Sequence, residues 1–139
     1  SAKEHINMAY LLKKQHKDSQ YIEILLMYAE ALCLDQNLQE ADIHLKEALN
    51  LCTKEANKSM EPTVMRKYAN LLYKSGNIDE ATHNLNKCAE LLIKTGNKKE
   101  LANTYFDIAK TYQGRSKEEE LGFYAKGIDL FKEIGIIEN

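Results

Sequence analysis

Arg66 and Asn70 stand one helical turn apart in the stretch PTVMRKYANLLYK. An Asn amide can pair with both the N–H and the C=O of a peptide, and an Arg guanidinium forks onto a carboxylate. The pair suits recognition of a chain rather than the breaking of a bond. An ordinary polar surface is the other reading of the same two residues. The remaining reactive side chains form no set. His5, His16, His44 and His83 are scattered, and there is no HExxH, phosphate-binding loop, GxSxG or GxGxxG. The run Glu118-Glu119-Glu120 has no further ligands beside it. It reads as the acidic first turn of a helix, where carboxylates complement the positive end of the dipole. No catalytic residue, metal or cofactor is expected.

Composition points the same way. The 139 residues suit one domain, and 44% hydrophobic content is enough for a core. A net charge of -2 argues against a dedicated nucleic-acid surface. One proline, Pro62, and no tryptophan, with many Ala, Leu, Glu and Lys, favour an all-α chain. Cys33, Cys52 and Cys88 lack CxxC spacing and fall on apolar helix positions. They read as small buried hydrophobes in a reducing cytoplasm, where the triplet Asn57-Lys58-Ser59 would not be glycosylated. No apolar run approaches the ~18 residues of a membrane span.

The elements that position these residues follow from a repeat. With Ala41 set on Ala81, a period of 40, Leu25, Tyr28, Ala29 and Leu32 fall on Met65, Tyr68, Ala69 and Leu72. Leu45, Ala48, Leu49 and Leu51 then fall on Leu85, Cys88, Ala89 and Leu91. A third copy carries Tyr105, Ile108, Ala109 and Tyr112, then, one residue short, Tyr124, Gly127, Ile128 and Leu130. In it, Glu120 or Leu121 replaces the alanine of positions 41 and 81. A half copy over 2–17 precedes the first, with Ile6, Ala9 and Leu12 echoing Leu45, Ala48 and Leu51.

Each half copy shows i, i+3, i+4, i+7 spacing, one apolar stripe of a helix. Gly76 suits the left-handed residue just past a helix. Asn37 with Glu40, Asn77 with Glu80 and Ser116 with Glu119 read as capping boxes. The spacing predicts about seven helices, over 3–16, 20–34, 38–57, 62–74, 78–94, 98–113 and 117–134. Short turns make neighbours antiparallel. A single pair cannot bury its stripe, so the copies stack into one domain over 1–139, with repeats at about 20–58, 62–97 and 98–135. Close pairing of the fourth and fifth helices is expected at Ala69.

These residues resemble the tetratricopeptide (TPR) family. The resemblance rests on Tyr28-Ala29, Tyr68-Ala69 and Ile108-Ala109, on Leu32, Leu72 and Tyr112 three residues later, and on GNIDEA followed by Leu85 and Cys88. The usual period is about 34 residues, and here it is longer. Long repeats of this kind resemble those of kinesin light chains and of bacterial peptide-sensing regulators of the Rap, NprR and PlcR type. The stretch KTGNKKELANTYFDIAKTY looks most like the latter. Those regulators carry an effector domain ahead of the repeats, so a fragment of a longer protein is expected.

The resemblance implies an α-solenoid whose first helices line a concave groove. It makes Glu30, Arg66, Asn70, Tyr73, Asn103, Phe106 and Lys110 the candidate peptide-binding residues. Leu26, Met27 and Phe106 could add apolar pockets, with core packing as the alternative for Leu26. Asp107 stands where a full carboxylate clamp would place Asn. The expected function is a noncatalytic module binding a peptide or protein segment. Its sharpest version is the C-terminal sensor region of a bacterial helix-turn-helix transcriptional regulator. The alternative is a structural segment that forms homo-oligomers through open array ends such as Gly135 to Ile137. Neither nucleic acid nor membrane is an expected partner.

Overall fold

The computed structural model describes Ile6 and residues 19–53 and 55–135, with the side chains of 55–57 left aside. The expected half copy over 2–17 lies outside the described residues except for Ile6. All regular structure among the described residues is helical. None of its helices is long and apolar enough to cross a membrane. The chain divides into two compact units, Ser1–Ser75 and Gly76–Asn139.

In the first unit, α1 (Ser19–Leu34) and α2 (Leu38–Cys52) form a helix pair joined by a three-residue turn. A 3-10 helix, Glu55–Met60, leads into α3 (Glu61–Lys74). The apolar stripe is buried as its spacing requires. Leu25, Ala29 and Leu32 are at most 1% exposed, and Tyr28 is 5% exposed. Tyr21, Ile22 and Leu25 of α1 pack with Ala48, Leu51 and Cys52 of α2 and Val64 of α3. Burial of each of the large aliphatic residues contributes about 1.5–3 kcal/mol.

The α2 helix stops earlier than the spacing predicts, at Cys52 rather than near position 57. The chain tightens into the 3-10 turn, and Pro62 enters α3 in its first turn, where a missing N–H costs nothing.

The turn after α1 forms a Schellman motif. The Asn37 N–H donates to the Leu32 carbonyl at 2.8 Å, and the Gln36 N–H donates to that of Cys33 at 3.1 Å. Gln36 holds the left-handed backbone this needs, with φ 62°. Asn37 then caps α2. Its Oδ1 accepts from the Glu40 N–H at 3.4 Å, and its Nδ2 donates to the Glu40 carboxylate at 2.9 Å. Tyr28 steadies the same carboxylate with a hydroxyl bond of 3.0 Å.

In the second unit, α4 (Ile78–Thr95), α5 (Lys98–Thr111) and α6 (Lys117–Glu133) pack in sequence, α4 on α5 and α5 on α6. Ala102, Ile108 and Ala109 are fully buried. Gly96 ends α4 at φ 77°. Asn97 caps α5 by accepting from the Glu100 N–H at 3.2 Å, a cap that the repeat spacing did not single out. Ser116 caps α6 as expected, accepting from the Glu119 N–H at 3.3 Å. Asn77 corrects the pattern. Its carbonyl accepts the first bond of α4, from Ala81, but its side chain makes no capping hydrogen bond.

The third copy also resolves its own ambiguity. Glu120, not Leu121, takes the place of the small alanine. It is 6% exposed, while Leu121 is 58% exposed. A buried carboxylate needs a partner, and Lys117 Nζ supplies one at 3.0 Å. Arg115 ties the turn before α6 to the start of α4, with Nη1 2.7 Å from Asp79 Oδ1 and Nε donating to the Thr111 carbonyl at 2.8 Å.

Candidate functional site

A cleft of about 80 Å³ opens in the first unit between α1 and α3. Its floor is apolar, built from Leu26, Ala29 and Cys33 of α1, Leu45 of α2 and Leu71 of α3. Its rim is polar and charged. Glu30 lines one side, and Lys67, Asn70 and Lys74 line the other. Helix geometry explains the division. Residues 67, 70, 71 and 74 recur at three and four residues, so α3 presents them as one stripe. Leu26, Ala29, Glu30 and Cys33 do the same on α1. Small-molecule pockets run to about 300–1,000 Å³, whereas this cleft admits roughly one apolar side chain.

Charge is uneven around the rim. Lys67 Nζ lies 3.9 Å from Glu30 Oε1, and both side chains are well exposed, so this ion pair is worth at most about 1 kcal/mol and can be exchanged. Lys74 makes no ion pair among the described residues. It stands close enough to Cys33 to act on its thiol. Burial pushes the Cys33 pKa up, Lys74 draws it partly back, and Glu30 adds to the rise. Cys52 is a buried core thiol raised to about 11, first by burial and then by Glu61. Cys88 is also buried, with its sulfur 3.9 Å from Thr104 Oγ1. Neither Cys33 nor Cys52 has the depressed pKa of a nucleophile.

Of the sequence-predicted residues, Glu30 and Asn70 meet in this cleft. Leu26 does two jobs, packing on the core cluster and lining the floor. Arg66 and Tyr73 are half-buried on α3 and are not cleft-lining residues. Lys67, Lys74 and Cys33 complete the site. Lys67 and Cys33 fall three residues from Asn70 and Glu30 on the same helix faces, but Lys74 was missed. It is the last residue of α3, and its place on the stripe is visible only as position i+7 from Lys67.

Asn103, Phe106 and Lys110 belong to α5 in the second unit. Lys110 is exposed and Asn103 is half-buried. Phe106 does not offer an open pocket. Its ring packs on α6, against Tyr124 at 6.0 Å, Phe131 at 5.4 Å and the backbone of Gly127. An aromatic ring on a helix face is drawn to the nearest apolar surface, and α6 supplies it. On another face of this pair, Phe123 stacks on Tyr112 at 5.9 Å with Lys126 over it at 4.7 Å. Among the described residues no group of three or more His, Cys, Asp or Glu could hold a metal ion.

Comparison with known proteins places this arrangement. No curated protein matches the sequence. Solved structures with the same fold include a putative kinesin light chain of Podosopora anserina with nearly identical TPR-like repeats. It shares 14% identity, with a TM-score of 0.78 over 98% of this chain and 68% of that one. BtubC (BKLC) from P. vanneervenii shares 15% identity, with a TM-score of 0.75 over 95% of this chain and 54% of that one. At such identity the likeness shows the fold alone, a TPR-like helical repeat. The model of the suppressor of spindle checkpoint defect 1 C-terminal domain matches residues 3–133. The chain therefore belongs to the suppressor of spindle checkpoint defect 1 C-terminal domain family.

Proposed function

We propose that the chain is a noncatalytic interaction module that holds a segment of another protein against α1 and α3. The observation that carries this reading is the cleft, with an apolar floor of one-side-chain size inside a rim of Glu30, Lys67, Asn70 and Lys74. Such a site can anchor a chain through one buried side chain and orient it by hydrogen bonds and charge. It contains no acid–base pair or activated nucleophile. The family name associates the domain with the spindle checkpoint, and we place the binding role in that setting. The narrower expectation of a sensor region in a bacterial regulator draws no support from the family match and is not part of the proposal. Selection of binders from a random peptide display, followed by affinity measurements on wild type and Asn70→Ala, tests the reading. Loss of affinity at unchanged melting temperature supports it, and equal affinity opposes it.

One observation favours a second role in assembly. Leu121 and Ile128, two turns apart on α6, are 58% and 40% exposed, and Ile134 at the end of the helix is 37% exposed. Leu121 and Ile128 form a stripe that could join copies of the chain. The apolar end first considered for that role includes Ile136 and Ile137, which lie outside the described residues. Light scattering over a concentration series separates the roles. A monomer at high concentration removes the assembly reading.

A further inference from the structure

The repeat places Met27, Glu30 and Leu34 of α1 at the positions of Lys67, Asn70 and Lys74 of α3, each pair forty residues apart. In α1 this stripe is apolar at both ends, with Met27 55% and Leu34 80% exposed. In α3 the same two ends are lysines. The first unit therefore presents two versions of one helix stripe, one apolar and one basic, with the cleft lined by both helices. From this we propose that the partner segment is an acidic amphipathic helix. Its carboxylates lie two turns apart and meet Lys67 and Lys74, and an apolar side chain between them enters the cleft. The proposal rests on the reading of the cleft as a protein-binding site and adds the chemical class of its partner.

Spacing selects the helix. Lys67 and Lys74 are seven residues apart on α3, about 10 Å along the axis. A partner helix carries residues i and i+7 on one face at the same distance, with i+3 and i+4 between them. An extended strand covers about 10 Å in three residues, which puts its two ends on opposite faces. Charge selects the acid. A partner carboxylate at Lys67 replaces a weak exposed pair with Glu30, and one at Lys74 meets a cation with no ion pair among the described residues. Asn70, between the lysines, can bond a polar side chain of the partner. Met27 and Leu34 offer the apolar flank of that helix a second contact.

The probe is an alanine-rich helical peptide with two glutamates seven residues apart and two leucines midway. It is titrated into the isotope-labelled chain and followed by amide shifts at low salt. A second peptide carries lysines in place of the glutamates. The glutamate peptide is expected to move Cys33, Asn70 and Leu71, to bind about tenfold more tightly than the lysine peptide, and to weaken as salt rises. Lys67→Glu with Lys74→Glu, both at exposed sites, should reverse the preference and lower the melting temperature by only a few degrees, since the weak Glu30 pair and a favourable helix-end charge are all that is lost. If both peptides move the same residues equally, the acidic class is wrong while the cleft still binds chains. Should neither peptide move them, while peptides selected from a random library do, the helical geometry is wrong and the cleft reading survives. If the selected peptides leave these residues unmoved as well, both fail.

Discussion

Phe106 lies over the backbone of Gly127, so that a Cβ added there would clash with the Cδ1–Cε1–Cζ edge of its ring. The third copy uses glycine where the first has Ala48 and the second Cys88, and the ring fills the space. Helix propensity alone would reward Gly127→Ala by about 1 kcal/mol. Overpacking of the α5–α6 contact should outweigh that gain and leave a net loss of about 1–2 kcal/mol. Urea unfolding checks the sign. Phe106→Leu in the Gly127→Ala background should restore most of the loss, because the smaller side chain removes the clash.

Gln36 and Gly76 occupy the same left-handed place one repeat apart, at φ 62° and 88°. Only glycine adopts this backbone without strain. Gln36→Gly should therefore stabilise the chain by about 0.5–1 kcal/mol, and Gly76→Ala should destabilise it by about 1 kcal/mol. Thermal melts of the two variants should move in opposite directions.

The caps should separate in the same way. Asn37 satisfies the Glu40 N–H and holds the Glu40 side chain, whereas the Asn77 side chain makes no cap bond. Asn37→Ala should cost about 1 kcal/mol and Asn77→Ala clearly less. Equal losses in chemical denaturation would contradict the assigned geometry.

Cys52 gives a pH prediction. Its folded pKa is raised to about 11 from an ordinary 9.0. The buried thiol thus contributes stability that is complete below the unfolded pKa and is lost as pH rises from about 9 through 11. Unfolding free energy should fall across that window in wild type and fall less in Cys52→Ala. Alkylation at pH 8 read by mass spectrometry should modify half-buried Cys33 well before Cys52 or Cys88.

Much of this was legible from spacing alone, because helix burial is periodic. Leu25, Tyr28, Ala29 and Leu32, and their counterparts at 65, 68, 69 and 72, are all buried. Gly76 marked its turn because its backbone preference is intrinsic. Gln36 did not, since the Schellman bonds impose the left-handed conformation on it. The early stop at Cys52 was hidden because Thr53 to Met60 carries no helix breaker, and the 3-10 turn is a tertiary compromise on the way into α3. The candidate cleft was half legible. Glu30 and Asn70 were reached through repeat register, which fixes the exposed face of a helix. The packing of Phe106 on α6 was not legible, because register does not say which neighbour an aromatic ring will find. That depended on the missing side chain at Gly127. Asn77 shows the remaining limit, since a capping residue can hold the right position and φ/ψ without its side chain closing the bond.

The central claim is that the α1–α3 cleft of the first unit holds a protein segment. The most direct measurement compares the affinity of a display-selected peptide for wild type, Asn70→Ala and Lys74→Ala with its affinity for Lys110→Ala in the second unit, at matched melting temperatures. The account predicts losses of about tenfold or more for the two cleft variants and none for Lys110→Ala. Unchanged affinity in both cleft variants, with binding lost at Lys110, would contradict it.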